Sequence, residues 1–135
     1  MITIVTGPPC GGKTTYIREN AKKGDVVIDM DKLALALTTE DVEEYAYPDS
    51  VRYVAMAARK AAVRQAIIIS QGQREQIWII HTDPNTRDRH NYKLAGATFV
   101  ECSPGLRVCL ERAKQRPLAN QKKIDRAIRD YYAVR

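Results

Sequence analysis

Residues 2–14 read Ile2-Thr3-Ile4-Val5-Thr6-Gly7-Pro8-Pro9-Cys10-Gly11-Gly12-Lys13-Thr14. The first five, mostly β-branched, suit a short strand that Gly7-Pro8-Pro9 brings to an end. Lys13 opens a helical pattern that runs to about Ala21, where Lys22-Lys23-Gly24 stops it. Between strand and helix, Gly7 to Thr14 fits G-x-x-x-x-G-K-[ST]. The pattern has a physical basis. Glycines let the loop curl until its N–H groups converge on phosphate oxygens. The helix start adds the positive end of its dipole. Lys13 then reaches the β- and γ-phosphates, and the Thr14 hydroxyl ligates Mg²⁺. The expected ATP site is Gly7, Pro8, Pro9, Cys10, Gly11, Gly12, Lys13, Thr14 and Thr15, with ATP and Mg²⁺ as its ligands.

Outward from this loop, short apolar strands alternate with helical patterns. Val26-Val27-Ile28 is the second strand, and a short helix is expected from Lys32 to Leu37. Thr38 to Pro48 is acidic and irregular, with Glu40, Asp41, Glu43 and Glu44. Ser50 to about Gln71 carries the longest helical pattern. Val51, Val54, Ala58, Ala61, Ala62 and Ala66 fall there at three- and four-residue spacings. Ile67-Ile68-Ile69 at its end reads as helix, with Gly72 as the stop. Ile77-Trp78-Ile79-Ile80 and Thr98-Phe99-Val100-Glu101 are the third and fourth strands, with a helix between them from Thr86 to Leu94. Pro104 is expected in the first turn of a helix reaching Gln115. The last helix runs from Asn120 to Ala133, with Ile124, Ile128 and Tyr131 or Tyr132 on one face. This order predicts an α/β P-loop NTPase fold. Its four-stranded parallel sheet has the order 2-3-1-4, helices on both faces and a C-terminal arginine lid at about residues 112–121. One kinase domain is expected across residues 1–135.

The chain has 135 residues, 44% hydrophobic and 28% charged, which suits one globular domain and excludes a multidomain motor or a fibrous protein. No apolar run approaches the roughly 20 residues that span a bilayer. The N-terminus reaches its glycine loop too soon for a signal peptide. Cys10, Cys102 and Cys109 are odd in number and their spacing matches no metal site, so reduced thiols and a cytoplasmic location are expected. The net charge of +6 sits in residues 107–135, where nine basic groups face Glu111, Asp125 and Asp130 alone. Such density suits a polyanionic partner, a nucleic-acid end or a nucleotide, and no obligate protein partner is evident.

Three kinds of phosphate-loop protein compete. A guanine-reading N-K-x-D motif is absent, which sets aside GTP switches. The third strand ends Ile80-His81-Thr82-Asp83, without the Asp-Glu pair of a motor. A small kinase needs only the loop, a carboxylate near the acceptor hydroxyl, and arginines for the moving phosphoryl group. Asp29-Met30-Asp31 supplies carboxylates at the C-terminal end of the second strand, where parallel sheets place ligands. Asp31 is read as the base, and also as an N-cap for the next helix. Arg112 and Arg116, four apart on one helix face ahead of Pro117, are read as phosphate-gripping. His81, Asp83 and Arg87 complete the substrate-side candidates beside Asp29 and Asp31. Tyr45, Tyr47 and Tyr53 read as packing residues or as base-stacking platforms, and Trp78 as core.

The glycine loop, the Asp29-x-Asp31 step and the Arg112-x-x-x-Arg116 pair resemble the 5′-kinase domain of phage polynucleotide kinases over nearly the whole chain. The resemblance implies that Asp31 is the general base on a 5′-hydroxyl. It implies that Lys13, Thr14, Arg112 and Arg116 handle ATP and the transition state. Those kinases often carry an arginine shortly after the base; Lys32 is the only cation in Lys32-Leu33-Ala34-Leu35. Small nucleotide kinases and modified-base kinases share the layout, and a nucleotide-binding or slowly hydrolysing module is the alternative outside kinases.

Overall fold

The computed structural model describes residues 1–72 and 75–135. The chain order is β1 (Ile2–Thr6), α1 (Lys13–Asn20), β2 (Val26–Ile28), α2 (Met30–Ala36), α3 (Asp49–Ile69), β3 (Ile77–Ile80), α4 (Thr86–Leu94), β4 (Thr98–Glu101), α5 (Leu106–Ala113) and α6 (Leu118–Ala133). All four strands are parallel in the order β2-β3-β1-β4, as the strand–helix alternation predicts.

The two faces of β1 build two cores. Ile2 and Ile4 join Ile28, Ile77 and Ile79 on one face, covered by Ala66 of α3 and Tyr92 of α4. Val5 turns to the other face with Trp78 and meets Ile17 of α1. Burying each of these aliphatic side chains is worth roughly 1.5–3 kcal/mol. Trp78 is core as expected, and its indole Nε1 donates to Asp25 at 3.0 Å. A third cluster, Cys109, Ala113 and Ile128 with Cys10 beside it, ties α5 and α6 to the glycine loop.

Four local expectations are corrected. In α3 the buried positions are Ala55 and Ala66, while Val54 is exposed and Ala61 faces solvent. Alanines on several faces gave the apolar pattern no unique side. The second helix starts at Met30, and Asp29 rather than Asp31 caps it: Asp29 Oδ1 accepts from the Asp31 N–H at 2.9 Å. Pro104 lies outside α5, which Gly105 opens at φ 115°. That helix ends at Ala113, so Arg116 sits in the turn before Pro117 and not on a helix face shared with Arg112.

Candidate active site

The glycine loop packs against the end of the neighbouring strand. Gly7 N–H donates to the Thr82 carbonyl at 3.0 Å, and Cys102 N–H donates to the Thr6 carbonyl at 2.8 Å. A Cβ at Gly7 or Gly11 would overlap the Cys102 carbonyl oxygen, so both positions require glycine. Cys10 takes a left-handed conformation at φ 62°, and Gly12 opens α1 at φ 93°. The loop thus curls on itself, closed by a Gly11 N–H bond to the Pro8 carbonyl at 3.0 Å.

The start of α1 differs from the starts of α2 and α4. Asp29 caps α2 and Asn85 caps α4 with side-chain oxygens, whereas no side chain caps α1. Its first-turn N–H groups therefore remain available for an anion. Lys13 Nζ donates to the Gly7 and Pro8 carbonyls at 2.6 and 2.8 Å. Burial lowers its pKa to about 8, and the negative charge of Asp31 acts against that shift. Thr14 is half-buried in the first turn of α1, while Thr15 is exposed.

On the far side of β3 from β1, the end of β2 carries both aspartates. Asp29 is buried and holds the helix start. Asp31 is partly buried, and its Oδ1 accepts a short hydrogen bond from the Tyr47 hydroxyl. Burial raises the Asp31 pKa; the Tyr47 bond and the Arg116 charge pull it back, and Asp29 and Glu44 add to the rise. The same contact and burial push Tyr47 well above the usual phenol range.

Both C-terminal arginines reach this region by different routes. Arg112 Nη1 donates to the Cys10 carbonyl at 3.1 Å, so its guanidinium rests on the glycine loop. Arg116 stacks over the Tyr45 ring, 3.6 Å from its centroid. Asn120 donates to the Tyr45 carbonyl through a short bond, at a residue held at φ 69°. The acidic segment between α2 and α3 therefore joins Asp31 to the α5–α6 turn through Tyr47 and Tyr45. Nothing in the sequence of that segment gives its position, because it has no periodicity to read. Tyr53, grouped with these two, is exposed.

The remaining candidates sit apart from Lys13 and Asp31 in their contacts. His81 Nδ1 lies 2.9 Å from the Tyr92 hydroxyl. Asp83 pairs with Arg135 at 2.9 Å and Arg89 at 3.6 Å. Arg87 is exposed, with no ion pair among the described residues.

A family model described as an AAA domain matches residues 2–134. The chain belongs to the AAA domain family. The family is P-loop NTPase-like and includes P-loop kinases, which makes the chain a nucleotide-binding P-loop protein of kinase-like type. No curated protein matches the chain. The third strand is followed by His81-Thr82-Asp83, without an Asp-Glu pair. No helix among the described residues is long and apolar enough to cross a membrane.

Proposed function

We propose that the chain is an ATP-dependent phosphotransferase that moves the γ-phosphate to a hydroxyl, best matched by the 5′-hydroxyl of a polynucleotide. One observation carries this reading. Asp31, a partly buried carboxylate just after β2, bonds Tyr47, Tyr45 of the same segment stacks with Arg116, and Arg112, just before it in the chain, rests on the phosphate loop. A donor's phosphate and an acceptor's hydroxyl thus have adjacent seats. Asp31 orients the hydroxyl and takes its proton. Lys13, Arg112 and Arg116 spread the charge of the phosphoryl group in flight. Residues 112–121 serve as the lid of a single domain spanning residues 1–135, with Arg112 already seated on the loop and Arg116 parked on Tyr45.

Mg²⁺ fits this donor set. It takes oxygen ligands and keeps several waters. Among the described residues, no three His, Cys, Asp or Glu side chains gather to hold a metal by themselves. Thr14 Oγ1, at the open end of α1, is the loop oxygen that would hold it beside nucleotide oxygens and water. When bound, it neutralises phosphate charge.

Asp29 contributes by setting the start of α2 and so the position of Asp31. The +6 net charge, gathered in the C-terminal 29 residues, favours a nucleic-acid acceptor over a small nucleotide or a modified base. Incubation with γ-labelled ATP and a panel of 5′-hydroxyl DNA, 5′-hydroxyl RNA and mononucleotides tests the reading. Label on an oligonucleotide end is the expected result. Label found only as free phosphate would support the hydrolysing module instead.

A further inference from the structure

Of the seven tyrosines, Tyr47 alone places its hydroxyl on the carboxylate read as the base. Tyr16 packs edge-on against Trp78, and Tyr92 bonds His81. Tyr131 donates to Glu101, and Tyr132 bonds Ser103. Tyr45 lies under Arg116, and Tyr53 is exposed. A buried phenol needs a hydrogen-bond partner, but Tyr47 is only half-buried and water could serve it.

The backbone around Tyr47 is fixed on both sides. Before it, Asn120 donates to the Tyr45 carbonyl, and Ala46 N–H donates to the Glu43 carbonyl at 3.0 Å. After it, Pro48 caps α3 and accepts the Arg52 N–H at 3.2 Å. The segment therefore presents the phenol to Asp31. An ionised carboxylate only accepts, so the Tyr47 proton lies toward Asp31 Oδ1. A hydroxyl donating to Asp31 is the arrangement that the phosphotransferase reading asks of an acceptor, and here the chain supplies one itself.

The surroundings also suit a phosphorylated product. Arg52, in the first turn of α3, is half-buried and has no ion pair among the described residues. Burial and Asp31 hold the Tyr47 hydroxyl in its protonated form, and the Arg52 charge acts the other way. Arg116, over the neighbouring Tyr45 ring, is a second cation.

We propose that Tyr47 is itself an acceptor, phosphorylated from ATP within its own chain, and that the phosphotyrosine closes the seat at Asp31. This rests on the phosphotransferase reading and adds a modification site to it. Tyr47 Oη bonds to the γ-phosphorus as the bond from that phosphorus to the β–γ bridging oxygen breaks. ADP leaves with the electron pair, and the phenol proton passes to Asp31 and then to water. The product places roughly two negative charges beside Asp31. Arg52 and Arg116 draw the phosphate, and a second hydroxyl no longer reaches the carboxylate.

The test starts with wild-type protein, ATP and no acceptor. The chain is expected to gain the mass of one phosphoryl group on the peptide that carries Tyr47, at a rate independent of protein concentration. Lys13→Met, prepared in the same way, should gain none, which excludes a contaminating kinase. Tyr47→Phe should also gain none, and Tyr53→Phe should match wild type. Once ATP is removed, the phosphorylated chain should bind a 5′-hydroxyl oligonucleotide roughly tenfold or more weakly than the unmodified chain, read by titration calorimetry. Phosphate on another residue, a rate that rises with protein concentration, or unchanged oligonucleotide affinity overturns the proposal. So does an unmodified chain in a preparation that labels an added acceptor, and that result leaves the phosphotransferase reading standing. Phosphate on Tyr47 with no label on any added acceptor keeps the site and overturns the polynucleotide as substrate. If Tyr47→Phe does not fold, peptide mapping of the wild type still decides.

Discussion

The glycine loop and the segment from Thr38 to Pro48 flank Asp31 in the sequence and are built by opposite means. The loop is local. Its shape follows from eight consecutive residues, with glycines where the Cys102 carbonyl leaves no room for a Cβ. The segment is held at a distance: Tyr45 meets Arg116 and Asn120, and Tyr47 meets Asp31. Its four acidic side chains at positions 40, 41, 43 and 44 are exposed. The difference teaches that phosphate recognition is written in a short stretch of chain. The acceptor side we propose is assembled from residues that only folding brings together.

The contrast can be broken most forcefully at the loop. Lys13→Met should lower turnover by about a thousandfold or more, because the charge it supplies develops its full effect on the transferring group. Steady-state kinetics with saturating acceptor measure this, and a loss under tenfold would detach Lys13 from the chemistry. On the other side, Tyr45→Ala removes the ring beneath Arg116. Acceptor KM should rise by roughly tenfold while ATP affinity stays within about twofold, as a partly buried cation–π contact and its ordering of the segment are lost together. Equal effects on both substrates would mean that the two regions are not separate.

Tyr47→Phe sharpens the comparison further. The Tyr47 hydrogen bond stabilises the charged carboxylate, and burial opposes it. Removing the donor raises the Asp31 pKa, so the acid limb of kcat/KM should move to higher pH. The base flank, set by other groups, should stay in place. The smallest effect is on stability. His81 has a folded pKa of about 4 against an ordinary 6.5. The unfolded chain binds more protons in that window, so stability is full above pH 6.5 and falls as pH drops toward 4. His81→Gln should lessen the loss of Tm between pH 7 and pH 5 by roughly a few degrees. An unchanged slope would show that the imidazole is not held neutral.

Much of this architecture is legible in the sequence. Ile77 to Ile80 and Val26 to Ile28 are short, continuous apolar runs, and such runs are strands buried on both faces. The loop carries its own code. The reading of α3 failed at Val54 and Ala61 because a helix rich in alanine on every side has no strong preference for which face it buries. Arg59, whose Nη2 donates to the Ile80 carbonyl, breaks the stripe through Ala55, Ala62 and Ala66 that the fold buries or half-buries. Asp29 and Asp31 exchanged the capping role because α2 starts one turn-fraction earlier than its first lysine suggests. Nothing local marks Tyr45 or Tyr47, since their partners lie 71 residues away in Arg116 and 16 away in Asp31.

The central claim is that a triphosphate at the loop and a hydroxyl at Asp31 face each other. Asp31→Asn keeps the side chain's shape and removes its charge, which makes it the sharpest probe. Titration calorimetry and single-turnover transfer from γ-labelled ATP to a 5′-hydroxyl oligonucleotide, run on the same preparation, give the answer. ATP affinity is expected to stay within about threefold of wild type while transfer falls by about a hundredfold or more. Undiminished transfer by Asp31→Asn, with ATP bound as before, would contradict the account.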